Sequence, residues 1–451
     1  MSGQVSTGSS AQPEVLAAAW YAEPLRWRRP GGIAVLVVLY CGLWNLAARI
    51  PLNRTDLDAF FIPATRIALA GHPFDVYSLR YVQIYPNANG PVSLLPLTLA
   101  SAISAWQGWL GNMELRRVVV LTLFAPFVLL LAREAVAAVD RLRAVPLKGF
   151  ARFAAYAVFA LSPEVWHGMV FYGHVEQPIM LLLALAGIRQ LQARRPVGAG
   201  LLLGLALLTR TSALLLVLPL VLLLLRDRDW RALGRLVAAL VSTIVVVLLP
   251  FVLSDGRDVL YSLVTFRGEL TVGGGSFWGL TLGTPWESFG QRYDGATVLL
   301  LASLLTGLVL LRRRDLKLTS PALYLLLAQS SLCFALLIKT LWPYYFLEPF
   351  TFLTIWWLSA MPVSIGRFGA WFRWGLALIL PAMAVVCANL REYGLTLETV
   401  SDVFRPESLV LTIAMTLVMA AILWLLLANS ALGYPFTNTS LSKGSVAPSA
   451  E

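Results

Sequence analysis

Two carboxylates one residue apart, Asp56 and Asp58, open the first polar interruption after a long apolar run. They belong to residues 51–91, PLNRTDLDAFFIPATRIALAGHPFDVYSLRYVQIYPNANGP. Thr55 ahead of Leu57, Phe60, Phe61, Ile67, Ala68 and Leu69 reads as a cap followed by an amphipathic helix. A carboxylate held there, near a membrane surface, can serve as a base beside a lipid phosphate. The plainer role for both acids is to favour the positive end of a helix.

A second group lies in residues 162–178, SPEVWHGMVFYGHVEQP, which collect Glu164, His167, His174 and Glu176 in a chain with 3 histidines. Ionisable side chains at membrane depth are costly, so use in function is the default expectation, with a solvated loop as the alternative. Their spacing does not match the H-x-x-x-H or H-x-x-E-H pattern of helical zinc sites, and no cofactor is expected. The D-x-D spacing of Asp56 and Asp58 leaves a divalent metal as the alternative.

Arg210, in LALLTRTSALL, stands alone between two apolar runs. Such an arginine needs an anionic partner, a wet cavity or the interface, and a phosphate suits its forked donors. A topological charge at a tight turn is the competing reading. Further on, TFRGELTVGGGSFWGLTLGTPW sets three consecutive glycines beside Phe277, Trp278 and Trp286. That suits contact with sugar rings or headgroups, or an aromatic belt with a flexible connector. KTLWPYYFLEP places Lys339, Tyr344, Tyr345 and Glu348 at a helix end, as interfacial anchors or as a wall for an acceptor.

These residues need a scaffold, and composition names its class. In 451 residues that are 58% hydrophobic and 13% charged, with a mean hydropathy of +0.74, there is too little charge to cover a soluble globule. A polytopic all-α membrane protein follows. The net charge of +11 sits in short segments between apolar runs, where it sets topology; nucleic acid is excluded as a partner and membrane lipid is expected. Cys41, Cys333 and Cys387 lie far apart in apolar runs and read as small buried hydrophobes.

Candidate spans cover residues 31–50, 114–134, 148–162, 177–193, 197–210, 211–225, 234–253, 295–311, 320–338, 347–362, 373–390 and 408–427, about twelve helices. Residues 1–30 and 428–451 are expected as disordered cytoplasmic ends of a single transmembrane domain, 31–427. With a cytoplasmic N-terminus, the basic clusters at 133–148, 194–195, 226–235, 312–317 and 367–373 fall inside. Arg116 and Arg117 are the exception, and the assignment requires residues 91–110 to lie along the outer leaflet. Residues 51–91, 163–176, 254–294 and 339–346, with Arg210, then gather outside.

The order of these signals resembles the GT-C class of membrane glycosyltransferases, most closely the family 87 polyprenol-phosphate-mannose-dependent mannosyltransferases of bacteria, over residues 31 to about 360. The family's D-L-x-x-[YF] segment corresponds to DLDAF at Asp56, and its aLaGxxxYd-like segment to IALAGHPFDVY at 67–77. Its Y-P-P turn and L-x-P-L run correspond to YPNANGPVSLLPL from Tyr85, its G-H-P-E-E segment to GHVEQ at Gly173–Gln177, and its basic residue before a Leu/Val-rich span to Arg210 followed by RDRDWRAL. The second proline of the turn is displaced to Pro91. The family's late histidine has no counterpart in KTLWPYYF, so His174 or a tyrosine stands in for it.

The resemblance implies an inverting hexosyl transfer, of mannose by the family's pattern, from a polyprenyl-phosphate sugar donor to a glycolipid or glycan acceptor on the outer face of the cell membrane. It ranks Asp56 above Asp58 as general base and adds His174. It places Arg210 and Glu176 at the donor phosphate, with Tyr85, Lys339, Tyr344 and Tyr345 against substrate. A polytopic transporter or flippase of a lipid-linked or sugar substrate is the alternative, but no convincing inverted repeat is present. A metal-dependent enzyme would use Asp56, Asp58 and Glu176 as cation ligands, and a membrane scaffold would tolerate Asp56→Asn.

Overall fold

The computed structural model describes residues 30–49, 55–81, 85–273 and 276–359, together with residues 413, 416–418, 420–424 and 427. The expected termini 1–29 and 428–451, the span at 373–390, the basic residues Arg367 and Arg373, Cys387 and much of 408–427 lie outside the described residues.

Every regular element among the described residues is helical. In chain order the helices are α1 (Pro30–Ala48), α2 (Ile62–Leu69), α3 (Pro91–Trp106), α4 (Met113–Leu142), α5 (Gly149–Ala160), α6 (Pro163–Trp166) and α7 (Glu176–Gln192). They continue as α8 (Pro196–Leu207), α9 (Leu214–Arg226), α10 (Trp230–Leu260), α11 (Phe266–Glu269), α12 (Trp286–Arg312), α13 (Pro321–Leu337) and α14 (Leu347–Ser359). Local chemistry sets many starts. Proline occupies the first turn of α3, α6, α8 and α13, where its missing N–H costs nothing. Asn112, Ser162, Asp229 and Ser320 cap α4, α6, α10 and α13 through their side-chain oxygens.

Among the described residues three helices are long and apolar enough to cross a membrane: α4 with 30 residues, the run Trp230–Glu269 with 40, and α12 with 27. The expected spans at 148–162, 177–193, 197–210, 211–225, 320–338 and 347–362 are present as helices of 12 to 17 residues. Leu300, Leu304, Leu308 and Leu311 form an exposed stripe on α12, and Val245, Val246, Leu249, Val252 and Leu253 expose another face of α10. Such faces would be an aggregation hazard in water and suit a hydrocarbon surrounding.

The core is organised on α4, which packs against α1, α5, α7 and α14. Phe124, Ala125, Val128, Ala132 and Ala135 on it have no exposed surface. α1 is pinned by Trp44, which stacks on Trp166 at 4.2 Å with planes 4° apart, and by Tyr40, whose hydroxyl donates to the Ala160 carbonyl at 2.6 Å.

The expected large loop at 254–294 is a loop only in part. α10 bends at Asp255 (φ −154°, ψ 79°) and continues through a π turn, Tyr261–Thr265, into α11. A 3-10 turn, Phe277–Thr281, follows, and α12 already begins at Trp286. The polar residues that suggested a loop find partners inside the fold. Asp258 accepts from the Leu79 amide at 2.7 Å and the Ser78 hydroxyl at 3.4 Å, so helix persists where composition alone signals solvent.

Candidate active site

The two acids of the first polar stretch are separated by a single residue and do different things. Asp58 turns inward: its Oδ1 accepts from Arg116 Nη2, and its Oδ2 accepts from the Thr55 hydroxyl at 3.2 Å and amide at 3.5 Å. The expected Thr55 cap is thus inverted, with Thr55 as donor. The Asp58 and Arg116 side chains are 3% and 4% exposed, and Arg116 also donates to the Leu110 carbonyl at 2.5 Å. Asp58, expected beside Asp56 as a catalytic residue, is therefore the counter-charge of a buried arginine. Removing either partner would leave a buried charge uncompensated, at a cost of about 3–5 kcal/mol. Arg117 donates to the Val170 carbonyl at 2.9 Å. Both arginines that broke the topology pattern are buried and bonded to protein groups.

Asp56 is 37% exposed and meets His174, whose Nε2 lies 2.9 Å from Asp56 Oδ2. A glycine permits this meeting. Gly173 closes the π turn His167–Tyr172 with φ +77°, and a Cβ on it would fall 2.5 Å from the Leu57 Cβ and 3.0 Å from the Thr55 hydroxyl. The next residue is delivered against Asp56. A second close approach, at Gly90, seats the 85–90 turn on the Leu208 carbonyl, which a Cβ would strike at 1.7 Å.

Behind His174 the charges continue inward. His174 Nδ1 lies 2.7 Å from Glu176 Oε1, which also accepts from Arg210 Nη1 at 2.6 Å. Arg210 Nε stands 3.6 Å from Glu348 Oε1, and Ser212 donates to the same oxygen at 2.6 Å. The Tyr344 ring covers the imidazole with centroids 3.9 Å apart, and Phe61 meets its edge. Burial alone would lower the His174 pKa, but Glu176 and Asp56 outweigh it and hold it above its ordinary value. Two carboxylates can only accept, so the ring between them carries both protons as an imidazolium. The 3.4 Å contact of Arg210 with Nδ1 is then a consequence of sharing Glu176 Oε1, not a further hydrogen bond.

Arg210 and Glu176, expected at a donor phosphate, are engaged with protein groups in this structure. Arg210 has carboxylates on two sides and stands 5.5 Å from the ring centroids of both Tyr344 and Tyr345. Glu176 has no exposed side-chain surface. Tyr85 is exposed and stacks on Phe60 at 5.1 Å, making an aromatic platform one helical turn beyond Asp56. Tyr345 packs on Phe334 and Tyr344. The Lys339 amine donates to the carbonyls of Arg267 and, at 2.8 Å, of Gln291. Glu164 and His167 are buried beside this cluster but outside the ion chain. Burial pushes the Glu164 carboxyl up to about 7 and the His167 imidazole down to about 4, disfavouring the charged form of each.

Asp56 and Asp58 face different partners, so the D-x-D spacing does not present a pair of ligands to a cation. Among the described residues no group of three His, Cys, Asp or Glu side chains is placed to hold a metal ion. Sequence reasoning missed Arg116 as the partner of Asp58 and missed Arg267, which donates to the Ala88 carbonyl at 3.3 Å. The available signal for Arg267 was an arginine alone in TFRGEL, on the side expected to be poor in basic residues. No family model matches the chain, and no curated protein matches it in sequence.

Proposed function

We propose that this chain is a multi-pass cell-membrane glycosyltransferase, moving a sugar, mannose by the resemblance above, from a polyprenyl-phosphate donor to a cell-envelope glycolipid or glycan on the outer face. The observation that carries the reading is the ion chain Asp56–His174–Glu176–Arg210, buried along its length and open at Asp56. A chain of alternating charges fixes the geometry of its last member, which is what a positioned base requires. Asp56 uses Oδ2 to hold His174, and no hydrogen bond reaches its other oxygen among the described residues.

In this reading the free oxygen of Asp56 takes the proton from an acceptor hydroxyl as that oxygen bonds to the anomeric carbon. The bond from that carbon to the donor phosphate breaks, and the lipid phosphate leaves with the electron pair, inverting the centre. The His174 imidazolium keeps the carboxylate aimed, and Arg210 acts through Glu176 instead of meeting the phosphate. The platform of Phe60 and Tyr85 offers a flat apolar face for a sugar ring or an isoprenoid.

Asp56→Asn keeps the shape and removes the base. Membranes containing this variant, inserted at the normal level, are expected to transfer radiolabelled sugar from polyprenyl phosphate about 10²–10⁴-fold more slowly. Transfer at the normal rate would overturn the mechanism.

A further inference from the structure

We infer that Arg267 is the cation that meets the phosphate of the substrate and that Lys339 is the residue that positions it; the inference rests on the glycosyl-phosphate reading above. Arg116 and Arg210, both buried, each have a carboxylate within ion-pair distance. Arg267 has none among the described residues. Its Nη2 reaches the Ala88 carbonyl, while its Nε is buried and without a hydrogen-bond partner. Arg267 is partly buried, and a guanidinium held at such a place without an anion is one that a bound phosphate would stabilise through a forked, charge-assisted contact.

The position fits the chemistry. Phe266, the preceding residue, lies against Phe60 at 6.4 Å and Tyr85 at 6.3 Å, so Arg267 follows directly on the aromatic platform beside Asp56. The charge of Arg267 is also felt at Tyr345, whose phenol burial holds above its ordinary value although Arg210 and Arg267 lower it in part. Arg267 is thus the chain neighbour of Phe266, one ring of the aromatic group of Phe60, Tyr85 and Phe266 that follows Asp56.

Lys339 supplies the bracing. Its amine binds the carbonyl of Arg267 itself and that of Gln291 on α12, and its amide donates to Asp294 at 3.2 Å. Burial lowers the Lys339 pKa, Asp294 partly restores it, and the charge of Arg267 lowers it again. Two cations are held close together with their carbonyl partners fixed, an arrangement that an incoming anion would stabilise.

The test uses the full chain in lipid nanodiscs and three probes: farnesyl phosphate, farnesol and inorganic phosphate. Binding is followed by tryptophan fluorescence. Wild type is expected to prefer farnesyl phosphate to farnesol. Arg267→Gln should weaken farnesyl phosphate at least tenfold with farnesol binding unchanged, Arg267→Lys should recover part of the loss, and Lys339→Met should reduce the same selectivity. Wild-type affinity for farnesyl phosphate in Arg267→Gln would overturn the assignment while leaving the glycosyl-phosphate reading intact. A wild type that does not distinguish farnesyl phosphate from farnesol would overturn both. Inorganic phosphate binding as tightly as farnesyl phosphate would overturn a lipid phosphate as the ligand in favour of free phosphate.

Discussion

Asp56 and Asp58 have the same functional group and adjacent places on the chain, yet one is a buried counter-ion and the other faces outward. What separates them is Arg116, 58 positions from Asp58 in sequence and in contact with it in space. No local pattern announces such a pair, so the ranking of the two acids had to come from resemblance, while the residue types themselves were legible. The same holds for Arg210: its need for an anion was evident from the apolar runs around it, but the anion is supplied by Glu176 and Glu348 from two other elements. His174 carries the prediction at this scale. Its pKa lies above the ordinary value of about 6.5 because the doubly protonated ring is held by carboxylates. The interaction is therefore complete below that ordinary value and is lost as pH rises through the raised one. In kcat/KM for sugar transfer measured from pH 5.5 to 9, a decline on the alkaline side is expected, and His174→Gln should remove that limb and lower the plateau. An alkaline limb that persists in the variant would assign the decline to another group.

At the scale of elements, helix starts and most span positions could be read from proline, capping residues and apolar runs. The 254–294 stretch could not, because its polar residues point to solvent only if their partners are unknown; Asp258 binds the 78–79 backbone region from far along the chain. The element that decides the site is the π turn ending at Gly173. Its left-handed conformation and its contact with Leu57 join the Asp56 segment to the segment bearing His174 and Glu176. Gly173→Ala adds about 1–2 kcal/mol of backbone strain and a direct clash. It is expected to lower thermal stability in detergent and to abolish transfer, although no ionisable residue has changed. An alanine variant with normal transfer would show that the two segments do not need this approach.

For the whole molecule, membrane character was written in composition, since hydrophobicity this high and charge this low leave few other classes. The direction of the molecule across the membrane is an expectation from charge placement, and Arg116 and Arg117, the cluster that stood against it, are buried. Tyr85→Cys in intact cells is accordingly expected to react with a membrane-impermeant maleimide added outside, and Arg313→Cys only after the cells are opened. The reverse pattern would place the candidate base on the cytoplasmic face.

The ion chain also has a direction of its own. It begins at a half-open carboxylate and ends at Glu348 and Ser212, both buried, with Tyr344 lying over the imidazole on the way. A proton entering at Asp56 meets the His174 ring and, beyond it, side chains that are buried. In the glycosyl-transfer reading, the proton gained in each turnover must therefore leave by the way it came, from the same carboxylate once product has moved aside. Resetting the base and releasing the product become one event at one mouth.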